Sequence, residues 1–469
     1  MDEADPDCGS FELRIVRTLA VAFAAAGIVV AAFAQQSIDP LPLTLQEAVK
    51  TALEKNPQRK AALADTRAAS ADVRAARSAL MPHLTFSETA TRGNDPVYVF
   101  GSKLRQERFT TNDFSLNKLN TPLPFGNFST RFGGSWTLFD SFASWHGVSR
   151  AKEMNEAARD QLERSDQEIA LRVVGAYYAV LLGTKQMELA EQAVKTASSI
   201  MDRSQARFDG GLVVESDLLA AKVRMAQRRE ELIRARNDLE LARDQLSAAM
   251  GVPMDSRFQP TESLLDRALP EPVLQEVEKR ALANRPDLKR IQCEEAAQQQ
   301  SVAMTKSSFG PRVNAFAGWE MDNPAFVAGG GGNNWLGGVE VQVDIFQGGA
   351  KRAALSRERA LQERVAAMKQ SATDDVRLDV RRAYYNLDSA RQEVEVARAA
   401  ITQAEDSLRI SQNRYDGGLI TITDLLTAEE ATRRSQTDYW EAVYRFHTSY
   451  AGLELASGAL NLQSPVITP

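Results

Sequence analysis

The stretch Arg207–Leu219 reads RFDGGLVVESDLL, and Arg414–Leu426 reads RYDGGLITITDLL. The two copies stand 207 residues apart, and the same offset carries Ala176-Tyr177-Tyr178 onto Ala383-Tyr384-Tyr385 and Leu138-Phe139 onto Ile345-Phe346. The chain is therefore two copies of one unit. A period of this length rules out a solenoid of about 20–50-residue repeats. Within each copy the paired glycines permit the positive φ that ends a helix, and Ser216-Asp217 or Thr423-Asp424 suits the start of the next one. Each copy reads as a helix, a tight turn and a second helix running back.

The flanking sequence makes those helices long. No proline occurs between Pro124 and Pro253 or between Pro324 and Pro465, and proline inside a helix costs about 3 kcal/mol. Val173, Val180, Met187, Val194, Met201 and Phe208 recur every seven residues, beside a mostly small stripe of Ile169, Ala176, Gly183, Ala190, Ala197 and Ser204. Past the turn, Leu218, Met225, Leu232, Leu239 and Leu246 continue the repeat with Ala221, Ala235, Ala242 and Ala249. The second half repeats the pattern through Val380, Leu387, Val394, Ile401, Leu408 and Tyr415. A strict heptad predicts left-handed coiled-coil packing. The helix from Ala143 to Phe208 would span roughly 100 Å at 1.5 Å per residue.

Each half also carries a shorter helical block between equally spaced prolines, Pro57 to Pro82 and Pro286 to Pro311. Proline suits the first helical position and stops a helix at its far end. Short amphipathic helices precede both, in LTLQEAVKTALEKN and VLQEVEKRALANR. Between each short block and each long helix the pattern switches to alternation. Val339, Val341, Val343 and Ile345 alternate with Glu340, Gln342 and Asp344, and Phe128, Phe132, Trp136 and Leu138 share one face against Arg131, Ser135 and Thr137. Val313, Ala315, Ala317 and Trp319 form a third such face, and residues 83–91 a less regular fourth. Strands of about ten residues, apolar on one side and polar on the other, fit a transmembrane barrel; a half-buried sheet in a soluble domain is the alternative. The connection between the first two strands, across much of Gly93–Gly126, is 22 residues longer than its counterpart, which holds Gly329–Gly332. Both read as loops, and long barrel loops face outward.

Composition limits function. The formal net charge is -6 with no strongly basic block, which argues against nucleic acid. Cys8 and Cys293 are too few for a disulfide framework, and His83, His146 and His447 are scattered. Residues 18–34 (TLAVAFAAAGIVVAAFA) follow Arg14 and Arg17 and end in a small-x-small site. This predicts a signal peptide over 1–34, cleaved after Ala34, with a retained anchor as the alternative. Gln35 stands near the new N-terminus, so lipid attachment to a cysteine is not expected.

No catalytic signature is present. The glycine run lacks a following GK[ST], no GxSxG elbow occurs, and carboxylates lie among Arg and Lys on helix faces. Neither an enzyme, a cofactor nor a metal is expected. The turn motif stands apart, because turn chemistry does not require an Arg and an aromatic before DGG in both copies. Gathered at one end, Asp424 and Asp217 could form a negative ring at a constriction and favour cations. Arg207, Arg414 and Tyr415 are grouped with them.

The R-[FY]-D-G-G-L…[ST]-D-L turns, the N/R-P helix starts and the LFD/IFQ strand-to-helix junctions together resemble the TolC family of outer membrane efflux proteins, over roughly residues 43–458. The resemblance implies a mainly α protein with membrane β. Long helical hairpins would build a periplasmic α-barrel, and four strands per chain would complete a homotrimeric 12-stranded outer membrane barrel. It implies an exit duct for tripartite efflux or type I secretion, partnered by a periplasmic adaptor (membrane fusion protein), an inner-membrane transporter and outer membrane lipid. The adaptor-docking tip falls on Gly210, Gly211 and Leu212 and on Gly417, Gly418 and Leu419. Family members often carry Val where Gly210 and Gly417 stand. The aperture aspartate falls on Asp424, and a second acidic position of some members is Thr427 here.

The expected division is signal peptide 1–34, N-terminal segment and equatorial helix 35–56, first repeat 57–252, linker and equatorial helix 253–285, second repeat 286–458 and tail 459–469. A soluble periplasmic coiled-coil adaptor is the competing reading, but it would need a lipoyl-like β-domain between its arms. A cell-wall hydrolase is disfavoured by the missing catalytic constellation.

Overall fold

The computed structural model describes residues 41–264, 269–326 and 332–468. The expected signal peptide and the glycines at 329–331 lie outside the described residues. A short strand β1 (Leu41–Leu43) leads into α1 (Leu45–Lys55), whose start is fixed by a reciprocal capping box between Thr44 and Glu47. Asn56 then accepts from the Gln58 amide, and α2 (Pro57–Ser78) begins on its proline. After β2 (His83–Gly93), the chain forms α3 (Pro96–Arg105), a 3₁₀ turn at Thr111–Phe114 and the short α4 (Leu116–Asn120). β3 (Phe125–Phe139) leads into α5 (Ala143–Asp209), and α6 (Glu215–Met250) runs back.

The second half repeats the order. β4 (Phe258–Pro260), α7 (Leu274–Asn284), α8 (Pro286–Ser307), β5 (Arg312–Asn323), β6 (Asn333–Gln342), α9 (Ala350–Asp416) and α10 (Ile422–Ala456) follow in turn. The absence of proline and the sustained heptad let α5 and α9 each run 67 residues, roughly 100 Å. The small stripe performs its packing task at Gly183. A Cβ there would stand 3.3 Å from Leu239 Cδ1 and 3.4 Å from Leu239 Cα, so a side chain would push α5 away from α6.

The main core lies at the waist of the long helices. α1 and α7 lay Leu45, Val49, Val277 and Ala281 against Ile169, Val173, Val380 and Val443. β1 pairs in parallel with β4 there, and the Tyr177 hydroxyl donates to the Leu43 carbonyl at 2.9 Å. The tail docks on the same core through Leu460, Val466 and Ile467. Burying such side chains contributes about 1.5–3 kcal/mol each.

At one end lies a four-stranded antiparallel sheet in the order β2-β3-β5-β6. Its register places Phe86, Phe132, Trp319 and Trp335 in one cross-strand row, with Ser87, Arg131, Glu320 and Asn334 in the adjacent row on the opposite face. The apolar face is exposed at Leu84, Phe86, Trp335, Val339 and Val341. β2 and β6 are both edge strands without a partner in the described chain. Among the described residues, no helix is long and apolar enough to cross a membrane.

Two expectations are corrected. The alternation through Val343 and Ile345 does not extend the strand, because pairing with β5 stops where Gln342 meets Arg312. The connection across 93–126 is no plain loop. Asp95 accepts from the Tyr98 amide and Pro96 takes the first position of α3, a start signal as clear as any in the chain.

Candidate functional site

The far ends of the two long hairpins form the candidate site. α5 ends in a Schellman motif: the Leu212 amide donates to the Arg207 carbonyl and the Gly211 amide to the Phe208 carbonyl, both at 2.9 Å. α9 ends the same way, with Leu419 donating to Arg414 at 2.8 Å and Gly418 to Tyr415 at 3.0 Å. The second glycine of each pair is the one the turn requires, since Gly211 and Gly418 sit at φ +71°. Gly210 and Gly417 are right-handed and tolerate a side chain on backbone grounds. Leu212 and Leu419 follow with 77% and 71% exposure, projecting apolar surface from the tip.

The following helices start two residues earlier than Ser216-Asp217 and Thr423-Asp424 suggest. The N-caps are Val214 and Thr421. Asp424 is the third residue of α10 and completes a capping box. Its Oδ2 accepts from the Thr421 amide at 3.0 Å and the Thr421 hydroxyl at 2.8 Å, while its own amide donates to Thr421 Oγ1. These hydrogen bonds, with Arg414 nearby, hold the exposed carboxyl below the usual range. Asp217 occupies the matching position after Val214, which has no side-chain oxygen, so no box forms. The two aspartates thus differ in restraint.

Arg207 joins the two halves. Its Nη1 and Nη2 donate to the carbonyls of Tyr415 and Asp416 at 3.0 and 2.8 Å, and its Cζ lies 4.6 Å from the Tyr415 ring centroid. Tyr415 is buried at 4% exposure against Ile200, Ile422, Leu425 and Leu426, whereas its counterpart Phe208 is 36% exposed. Arg414 accepts from the Leu419 amide through its carbonyl, while its exposed guanidinium acts on Asp424 through charge alone. The structure therefore gathers Arg207 with Tyr415, and Arg414 with Asp424.

Sequence reading missed a charged cluster farther up the return helices. Arg228 of α6 is fully buried and reaches Glu231 and Glu429 at 2.8 Å and Glu430 at 2.5 Å. Glu429 is also buried, and Arg433 reaches Glu430 at 2.7 Å. Burial pushes the Glu430 carboxyl up, but the Arg433 and Arg228 guanidiniums overcome this and hold it at about 2. The signal was a gap in the pattern. The small stripe of α6 runs Ala221, Ala235, Ala242 and Ala249, and Arg228 fills the missing heptad position. Among the described residues no group of His, Cys, Asp and Glu is arranged to hold a metal ion.

The chain is 24% identical over 439 residues to the alkaline protease secretion protein AprF of Pseudomonas aeruginosa, covering 90% of this chain and 86% of that protein. It is 23% identical to the outer membrane protein TolC of Escherichia coli, over 89% of this chain and 83% of that one. The fold matches the Campylobacter jejuni CmeC outer membrane channel with TM-score 0.76 at 17% identity, across 90% of this chain and 87% of that chain. Residues 48–252 and 277–459 match the family described as outer membrane efflux protein. Those two segments take in both long hairpins and all four strands of the antiparallel sheet, and on that match the chain belongs to the outer membrane efflux protein family.

Proposed function

We propose that this chain is an exit duct of the outer membrane, passing cargo for efflux or type I secretion from the periplasm to the outside. The observation that carries the reading is the sheet with two open edges. Its apolar face suits lipid, yet lipid cannot satisfy the unpaired backbone groups of β2 and β6. Pairing β6 of one copy with β2 of the next closes the ring, and three copies would give 12 strands. The 67-residue helices then extend the conduit into the periplasm. The repeats 57–252 and 286–458 supply one hairpin arm each to that tube. The duct does no chemistry of its own.

At the periplasmic end, a membrane-fusion adaptor and an inner-membrane transporter engage the tip. The exposed Leu212 and Leu419, presented by Gly210-Gly211 and Gly417-Gly418, are apolar knobs for a helical partner. Asp424 and Asp217 line the aperture. The capping box fixes Asp424, so it is the more rigid charge, and Arg414 tempers it. Opening requires the clamp between Arg207 and the Tyr415 end of α9 to yield.

The test is fractionation and single-channel recording in planar bilayers. An outer membrane trimer whose migration changes on heating is expected, with small cation-selective conductance. Asp424→Asn should weaken block by multivalent cations while conserving the trimer. Recovery in the soluble periplasm would overturn the duct; unchanged cation block would overturn the assignment of Asp424.

A further inference from the structure

We infer that the insert between β2 and β3 forms a second constriction of the duct at its outer mouth, restricting what can pass by size. This rests on the duct reading above. The insert is a built element. Phe109 packs edge-on to Phe100 and Phe114 with centroids 4.7 and 5.1 Å away, and Lys103 pairs with Asp113 at 2.8 Å. Asp113 in turn closes a capping box with Thr110.

Its position follows from its anchors. Gln106 Nε2 donates to Asn127 Oδ1 at 2.7 Å, and Asn127 donates to Asp322; all three side chains are buried. Arg105 reaches Glu320 at 3.2 Å, and Glu320 also accepts from Arg131 at 2.8 Å and Ser129 at 2.6 Å. Asn127, Ser129, Arg131, Glu320 and Asp322 all lie on the polar face, in rows that alternate with Phe132 and Trp319. The apolar face meets lipid, so the face that α3 covers looks into the lumen. β2 leaves the helical body at His83 and β3 returns to it at Phe139. The insert therefore sits at the end opposite the tip.

Scale makes this consequential. Eight strands enclose a space that side chains alone fill, and 16–18 leave an aqueous channel. A 12-stranded lumen falls between these, and a helix with side chains measures about 10–12 Å across. Three copies of α3, each held on the wall by Arg105 and Gln106, would narrow it substantially.

The test uses the full chain in intact cells. Ser135 is exposed on the same polar face, nearer the helical body, and carries the probe as Ser135→Cys in a Cys293→Ser background. Cys8 falls in the expected leader. Maleimides of graded size are added from outside, first to this parent. Two further variants release the insert: Arg105→Ala/Gln106→Ala, and replacement of residues 95–123 by a short Gly-Ser linker. Trimer migration checks assembly of each. The parent should label with a small maleimide and resist a bulky polyethylene glycol maleimide. If release exposes the thiol always rather than about a tenth of the time, bulky labelling rises about tenfold. An unchanged size limit in both variants would overturn the constriction. Failure of even the small reagent on every assembled variant would instead overturn the duct reading, because Ser135 would then not face a lumen open to the outside.

Discussion

Arg207, in the first half of the chain, closes over Tyr415 in the second, its Cζ 4.6 Å from the ring centroid and both terminal nitrogens on carbonyls at the end of α9. Both carbonyls belong to the last turn of α9, where intrahelical partners run out; the Gly418 amide also meets that of Tyr415. A cation there is favoured by about 0.3–1 kcal/mol through the helix dipole, and the ring contact adds about 0.5–1 kcal/mol. The pairing ties the end of the first long helix to the end of the second.

Arg207→Ala should therefore loosen the tip without unfolding the waist. Amide hydrogen exchange over residues 415–420 is expected to quicken about tenfold, the equivalent of about 1.4 kcal/mol. Arg207→Lys should fall between, since it keeps the charge but loses the planar fork. Equal exchange in all three proteins would rule out a clamp. Conductance of the alanine variant, recorded in parallel, should rise.

The two glycines of each turn should respond oppositely to alanine. Gly211→Ala and Gly418→Ala force an L side chain to φ +71°, at about 1–2 kcal/mol each. Gly210→Ala and Gly417→Ala keep right-handed geometry and should be neutral or stabilising by about 0.4–1 kcal/mol. Exchange protection at the tip separates the pairs, and equal effects at all four positions would contradict the Schellman assignment.

These turns also show what the sequence could tell. The duplicated DGG, the heptads and the proline-free zones define the hairpins because each is a local rule repeated many times. Cap positions were harder. Thr423-Asp424 looks like a helix start, but the pattern Thr421-x-x-Asp424 is the box that forms, and choosing between them requires the φ of the turn. The helix at Pro96–Arg105 was hidden by its setting among Asn, Pro and aromatic residues, although Asp95-Pro96 announced it. Arg228 was overlooked because a charge on a helix is nearly always solvated, although it interrupts the small stripe of α6. Only the neighbouring helix shows that Glu429 and Glu430 await it.

Arg228→Met should destabilise the hairpin body by about 3–5 kcal/mol, because it leaves buried Glu429 without its partner. Adding Glu429→Leu should restore much of this, as paired apolar replacements of buried ions often do. The network also carries a pH signature. Glu430 sits at about 2 in the folded chain against an ordinary 4.5. Its contribution is thus fully present above about pH 4.5 and lost as pH falls toward about 2. Urea midpoints measured down this range should drop for the parent and drop less steeply for Arg228→Met, which keeps the Arg433 contact. Parallel curves would mean that the acid sensitivity arises elsewhere.

Glu454 presents the opposite case. Burial against the tail pushes its carboxyl up to about 7, with the Ser464 hydroxyl and Arg280 offsetting only part of the effect. One carboxyl oxygen, Oε2, is buried without a hydrogen-bond partner among the described residues. Between about 4.5 and 7 the folded chain holds a proton that the unfolded chain has released, so stability falls as pH rises through that window. Glu454→Gln should therefore leave stability near its parent value at about pH 4 and raise it at about pH 8, by on the order of 1 kcal/mol after allowance for solvent screening. The urea midpoint at the two pH values decides the matter. A gain of the same size at both would point to packing rather than ionisation. A loss at both would mean that the carboxyl group stabilises the docked tail through a contact that an amide cannot make.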